Sequence, residues 1–64
     1  MKFENLKKGE IYLDKDGVEA VMFVELRNDQ IATFYDCEYD EQKGDFVATT
    51  KIRYLTKNEV KKFN

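Results

Sequence analysis

The segment from position 35 to position 41 carries the residues best suited to recognising a partner. Tyrosines alternate there with acidic residues, in the order Tyr35-Asp36-Cys37-Glu38-Tyr39-Asp40-Glu41. In an extended strand, successive side chains point to opposite faces, so the tyrosines would share one face and the acids the other. We expect a surface that docks on a basic groove of another protein, formed by Tyr35, Asp36, Glu38, Tyr39, Asp40 and Glu41. The alternative is that the tyrosines belong to the core and the acids are only a solvated face.

Catalysis and metal binding are not expected from this composition. The sequence contains no serine and no histidine, which excludes Ser-based triads and His-based acid–base pairs. Cys37 is the only cysteine, and a lone cysteine without histidine does not make a zinc site. The acidic loop at residues 40–45 lacks the EF-hand pattern and places Lys43 among the would-be calcium ligands. We therefore expect no catalytic residue, no cofactor and no metal.

Length and composition predict one small folded domain over residues 1–64. A hydrophobic content of 42% with 14% aromatic residues argues against a disordered chain. The free thiol of Cys37 favours a reducing compartment, and no apolar run approaches the ~20 residues of a membrane span. Residues 1–5 are followed by charged residues rather than by a signal-peptide core. We expect a cytoplasmic protein with no membrane segment.

Charge is unevenly distributed along the chain. Residues 10–45 carry eleven acidic and three basic residues, for −8, whereas residues 1–9 carry +2 and residues 46–64 carry +4. Such a distribution predicts an acidic side and a basic side that steer charged partners. The other interpretation of the basic side is nucleic-acid binding through Lys51 and Arg53, with Tyr12 or Tyr54 as a stacking platform. The net charge of −2 makes this the second choice, because phosphate neutralisation dominates non-specific affinity.

Alternation of apolar and polar residues predicts four strands, at residues 11–13, 18–26, 30–39 and 46–55. Asp16-Gly17 between the first two strands is a strong hairpin signal, residues 27–29 form the second turn, and Gly44 closes the loop at residues 40–45. The last strand is long, so we expect a bend or bulge near Thr49-Thr50. Free strand edges would also permit a homodimer by edge pairing.

The sequence predicts a short helix at the end of the chain. Thr56 and Glu59 have the spacing of a capping box, which favours a helix from Lys57 to about Phe63. Its Val60 and Phe63 would dock on a patch of Val21, Phe23 and Phe34. Without that cover, the patch would be exposed and would mark an interface.

Both faces of the second strand carry apolar residues, and this decides the expected architecture. We predict a mainly β fold, in which four to five antiparallel strands form a meander curled into a small SH3-like barrel with a short C-terminal helix. An open sheet with the helix packed across it is the alternative.

Two terminal segments resemble known small proteins. Leu6-Lys7-Lys8-Gly9-Glu10-Ile11-Tyr12 resembles the opening of many small SH3-like domains, and Tyr54-Leu55-Thr56-Lys57-Asn58-Glu59-Val60 is similar to the close of short phage-encoded proteins. The resemblance implies an accessory protein of a phage or mobile element that binds and inhibits a host macromolecule. It assigns no functional residue. We therefore expect a non-enzymatic binding protein that occludes a basic surface of a host protein.

Overall fold

A computed structural model describes residues 2–63, which form one open sheet of five antiparallel strands. The strands are β1 (Ile11–Leu13), β2 (Ala20–Leu26), β3 (Ile31–Asp40), β4 (Asp45–Thr56) and β5 (Lys61–Lys62). Their order across the sheet is β4-β3-β2-β1-β5. Two 3₁₀ turns, Phe3–Asn5 and Lys57–Glu59, complete the regular structure. The prediction of a mainly β, antiparallel domain is confirmed.

The first four strands are joined by hairpins at the predicted turns. Gly17 and Gly44 have φ values of 69° and 67°, a left-handed conformation that glycine adopts without steric cost. In the first turn, the backbone N–H of Gly17 donates to the carbonyl oxygen of Asp14 over 2.9 Å. These turns fix the register of β1 against β2 and of β3 against β4.

Two irregularities bend the sheet. On β4, Ile52 pairs with Tyr35 and Ala48 pairs with Cys37, so residues 49–51 lie opposite Asp36 alone. The hydroxyl of Thr49 donates to the backbone carbonyl of Asp36 over 2.9 Å and holds this bulge in place. The bulge confirms the prediction near Thr49-Thr50. The second irregularity is a shift in the pairing register of β2 with β3, between Phe23 and Glu25 of β2.

One face of the sheet carries the core, which contains Phe3, Leu6, Tyr12, Val21, Phe23, Ala32, Phe34, Leu55 and Val60. Phe34 is fully buried and meets the rings of Phe23 and Tyr12 edge to face, at centroid distances of 5.7 and 6.4 Å. The apolar patch of Val21, Phe23 and Phe34 is therefore covered. Val60 takes part in covering it, as predicted.

The predicted helix from Lys57 to Phe63 is wrong. Only Lys57–Glu59 is helical, as one 3₁₀ turn, and Val60 is already extended (φ −106°, ψ 127°). The Glu59 carboxylate accepts hydrogen bonds from the backbone N–H and the hydroxyl of Thr56, both at 2.9 Å, so this half of the capping box forms without a helix behind it. Extended backbone after Glu59 places Val60 in the core and lets β5 pair with β1.

The sheet remains open among residues 2–63. β4 and β5 lie at its two edges, and no backbone pairing joins them there. Phe63, which was expected on the core, is 41% exposed and lies against Phe46 instead. No helix in the described part of the chain is long and apolar enough to cross a membrane.

Candidate partner-binding surface

The predicted alternation of side chains in β3 is present, but it divides the candidate site between two environments. Asp36 pairs with the buried Val21 and lies on the face that carries Phe34 and the core. Tyr35 lies on the opposite face, opposite Met22, and is half-buried. Tyr39 and Glu38, further along the strand, are exposed. Tyr35 and Tyr39 are therefore not part of the buried core.

Asp36 belongs to an ion cluster centred on Arg53 of β4. Arg53 Nε lies 2.9 Å from Asp36 Oδ1, and a second guanidinium nitrogen lies 3.3 Å from Asp14 Oδ2. The third nitrogen forms an ion pair and hydrogen bond with Glu19. Asp36 Oδ1 is buried, and its contact with Arg53 lies outside hydrogen-bond geometry. Three carboxylates share one cation here, and the cluster joins β3 and β4 to the β1–β2 hairpin.

The pKa values of two residues in the cluster, Asp14 and Arg53, are shifted. Burial alone would raise the pKa of Asp14, but hydrogen bonds from the backbone N–H groups of Val18 and Glu19, and the charge of Arg53, bring it below its ordinary value. The hydrogen bond to Glu19 is the main reason that the pKa of Arg53 is raised. Because Asp36 is paired with Arg53 inside the protein, we assign it a structural role rather than a direct contact with a partner.

The other acidic residues of the predicted site, Glu38, Asp40 and Glu41, lie at the end of the β3–β4 hairpin. We call residues 38–46 the hairpin tip. Asp40 and Asp45 form a directly opposed cross-strand pair, and like charges in this position destabilise a hairpin. The Asp40 carboxylate accepts backbone N–H groups of Gln42 and Lys43, at 2.9 and 3.3 Å, which shapes the turn. With Glu38 and Glu41, the tip carries four carboxylates against the single cation of Lys43.

An exposed aromatic group adjoins these carboxylates. Tyr39 pairs directly with Phe46, and their rings meet edge to face at 5.3 Å. Phe46 in turn meets Phe63 at 5.4 Å. Tyr39 is 57% exposed and Phe63 is 41% exposed, so the group presents apolar surface to solvent. Neither Phe46 nor Phe63 was predicted to belong to this surface; the hairpin register implied by Gly44 was the available signal for Phe46.

Both stacking platforms considered for nucleic acid are occupied. Tyr12 is only 6% exposed, and its hydroxyl oxygen accepts the backbone N–H of Lys7 at 2.9 Å. Tyr54 is exposed, but the guanidinium of Arg27 lies 4.6 Å above its ring. Arg53, expected to contact phosphate, is held in the ion cluster. The structure thus offers no support for these particular residues as a nucleic-acid interface.

Cys37 is half-buried on β3, and its thiol lies 3.8 Å from the backbone carbonyl oxygen of Tyr35. Burial, together with the negative charge of Asp36, raises the pKa of this thiol. A protonated thiol is a poor nucleophile. Within residues 2–63, no group of three or more Cys, Asp or Glu side chains is arranged to hold a metal ion.

No family model, curated protein or solved structure matches the chain, so its function has to be inferred from its own residues.

Proposed function

We propose that the protein is a non-enzymatic binding protein whose hairpin tip docks on a basic surface of another protein. The observation that carries this proposal is the composition of the tip. Four carboxylates, two of them directly opposed, stand beside the exposed ring of Tyr39 and the half-buried ring of Phe46. A partner rich in lysine and arginine would relieve the repulsion between Asp40 and Asp45, which in the free protein opposes hairpin stability by about 0.2–1 kcal/mol.

Aromatic rings next to carboxylates suit this type of partner for a second reason. A lysine or arginine side chain can place its apolar stem on a ring face while its charge meets a carboxylate. The charges accelerate encounter with a basic surface, and the rings supply apolar area to bury once contact is made. Of the six residues predicted as the site, Glu38, Tyr39, Asp40 and Glu41 belong to this surface. Tyr35 and Asp36 support it from within the sheet.

The wider context of this function is also part of the proposal. The strand order, with β5 returning to β1, supports an SH3-like barrel of the kind that residues 6–12 resemble. On the similarity of residues 54–60 to short phage-encoded proteins, we propose an inhibitor that occludes a host protein. The free thiol of Cys37 is compatible with a reducing cytoplasm.

The test uses charge reversal at the tip with a matched control. The tip variant carries Glu38→Lys, Glu41→Lys and Asp45→Lys, and it leaves Asp36 and Asp40 unchanged because Arg53 and the turn depend on them. The control variant carries three reversals at exposed acids elsewhere: Glu4→Lys, Glu25→Lys and Asp29→Lys. Both variants change the net charge by the same amount. Circular dichroism and light scattering establish that each is folded and whether it is a monomer or an edge-paired dimer.

The probe is a fluorescein-labelled peptide of alternating arginine and glycine, followed by anisotropy at low and physiological salt. We expect the tip variant to bind about tenfold or more weakly than the wild type, since each lost charge-assisted contact is worth about 1.5 kcal/mol. The control variant should lose much less affinity. Equal losses in the two variants would show that only net charge matters, and unchanged binding by the tip variant would refute the proposed surface.

A further inference from the structure

A groove on the other side of Phe63 carries the opposite charge from the hairpin tip. It lies between the chain leading into β1 and the edge strand β5, and its volume is about 610 Å³. Its walls are formed by Asn5, Lys7, Glu10, Ile11, Lys62 and Phe63. Ligand sites in proteins commonly measure about 300–1,000 Å³, so the groove has room for a ligand the size of a nucleotide.

The groove is preorganised by backbone hydrogen bonds. The backbone N–H of Lys7 donates to the Tyr12 hydroxyl at 2.9 Å, and that of Glu10 donates to the Lys7 carbonyl oxygen at 3.0 Å. Gly9, with φ 85°, donates its N–H to the Phe23 carbonyl oxygen at 3.0 Å. On the other wall, Lys62 is fixed opposite Tyr12 by the pairing of β5 with β1. The two lysine-bearing backbones are thus held on either side of the same buried tyrosine.

The two lysines of the groove are available to an anion. Among residues 2–63, neither Lys7 nor Lys62 forms an ion pair within 4 Å; the pairs described above belong to Arg53. Both are exposed, as are their neighbours Lys8 and Lys61. In contrast to the charged lysines, Phe63 contributes an aromatic surface to the groove. Its ring is partly exposed and stands at 85° to the ring of Phe46.

We propose that this groove binds a nucleotide unit, with its phosphate between Lys7 and Lys62 and its base against Phe63. A phosphate meets two cations from opposite walls, and a base is the flat aromatic group that a phenylalanine ring stacks with in a sequence-tolerant way. Asn5 and Glu10 supply the hydrogen-bonding groups that ribose hydroxyls and exocyclic amines require. This assignment differs from the Tyr12 and Tyr54 platforms, which are occupied, and none of the residues that line the groove belongs to the hairpin tip.

The same nucleotide chemistry occurs as a free mononucleotide and as one unit of a single strand. The hairpin tip adjoins one end of the groove, because Phe46 of the tip contacts Phe63. A long polyanion that extended to the tip would be repelled by the carboxylates there, whereas a mononucleotide confined to the groove would not. The two sources are compared directly with AMP and a decamer of deoxyadenylate, each titrated into the wild-type protein and followed by two-dimensional NMR and by calorimetry.

Two variants test the two halves of the site. Lys7→Ala with Lys62→Ala removes the phosphate contacts, and Lys15→Ala with Lys43→Ala is the control, since both of those lysines are exposed and line no part of the groove. We expect the first pair to weaken AMP binding about tenfold or more and the control pair to change it less than about twofold. Phe63→Leu keeps apolar volume but removes stacking. It should weaken AMP by about fivefold or more and leave binding of inorganic pyrophosphate unchanged.

The result that supports the proposal is saturable AMP binding that shifts the amide signals of Lys7, Ile11 and Lys62 and responds to the variants as stated. Shifts located elsewhere, or equal AMP affinity in the two double-lysine variants, would overturn it. Tighter binding of the decamer identifies a single strand as the source, and tighter binding of AMP identifies the free nucleotide. The hairpin-tip variant changes no residue that lines the groove, so saturable AMP binding in that variant shows that the groove does not depend on the proposed function of the tip.

Discussion

Replacing Arg53 with methionine should destabilise the protein more than any other single change at an exposed or half-buried charge. Methionine retains much of the aliphatic volume of arginine but removes the guanidinium. Three carboxylates, those of Asp14, Glu19 and Asp36, would then lie together with no cation among them. Asp14 and Asp36 are the important ones, because they are largely removed from solvent.

The expected loss in the free energy of unfolding follows from how exposed each ion-pair partner of Arg53 is. The Glu19 side chain is 58% exposed, so its pair with Arg53 is worth about 0.2–1 kcal/mol. The side chains of Asp14 and Asp36 are only 11% and 19% exposed. Removing the partner of a fully buried charge costs about 3–5 kcal/mol. Since Arg53 itself is 28% exposed, we expect a loss of about 2–4 kcal/mol in the free energy of unfolding. A domain of 64 residues has about 3–10 kcal/mol in total.

The assay is urea unfolding at pH 7, followed by circular dichroism and by tyrosine fluorescence, since the chain has four tyrosines and no tryptophan. A double-mutant cycle of Arg53→Met and Asp36→Asn isolates their interaction, with an expected coupling of about 1–3 kcal/mol. Lys51→Met is the control. It removes an exposed cation from the same strand and should change the free energy of unfolding by less than about 0.5 kcal/mol.

Two results would refute this reasoning. One is a loss for Arg53→Met no larger than that for Lys51→Met. The other concerns pH, because the lowered pKa of Asp14 depends in part on the charge of Arg53, so acidification removes part of the stabilisation that this pair provides. The difference in stability between the wild type and Arg53→Met should therefore shrink below about pH 4, and a difference that persists unchanged to pH 2.5 would show that packing rather than charge is responsible.

Two further predictions concern titration. The pKa values of Asp14 and Glu59 are lowered in the folded protein, the latter by hydrogen bonds from the backbone N–H and hydroxyl of Thr56, so the unfolded chain binds more protons as the pH falls. The urea midpoint should be nearly constant above about pH 5 and decrease as the pH drops through about 4, and a midpoint that rises on acidification would contradict this. The pKa of Cys37 is raised by burial and by Asp36, so its reaction with a disulfide reagent at pH 8 should be about tenfold or more slower than in the urea-unfolded chain; equal rates would contradict it.

Much of the fold could be predicted because its signals are local. Apolar alternation identifies β2 and β3, and Gly17 and Gly44 mark the hairpin turns that set their register. Even the bulge at Thr49 followed from the excess length of the last long strand. The tip carboxylates were found for the same reason, since their strand and turn are continuous in sequence.

The errors arise where distant residues decide the outcome. The Thr56–Glu59 hydrogen bonds satisfy a 3₁₀ turn as well as a helix, and the decision falls to β1, whose open edge pairs with residues 61 and 62. Likewise, alternation alone placed Asp36 on the acidic face expected to dock on a partner. Its ion pair with Arg53 depends on the register across the β4 bulge, which no local pattern encodes. The groove and the place of Phe63 beside it required the position of β5 as well.

The pairing of β5 with β1 has a consequence for the order in which the chain folds. Leu13 pairs with Lys61, 48 positions away, whereas each of the hairpin contacts closes a far shorter loop. Closing a longer loop costs more entropy, so the β2–β3–β4 meander is expected to form first and β5 to add last. Until then, β1 presents an unpaired edge, the groove lacks one wall and Val60 is absent from the core. Any folding intermediate of this protein should therefore be one that already has its acidic hairpin but lacks its basic groove.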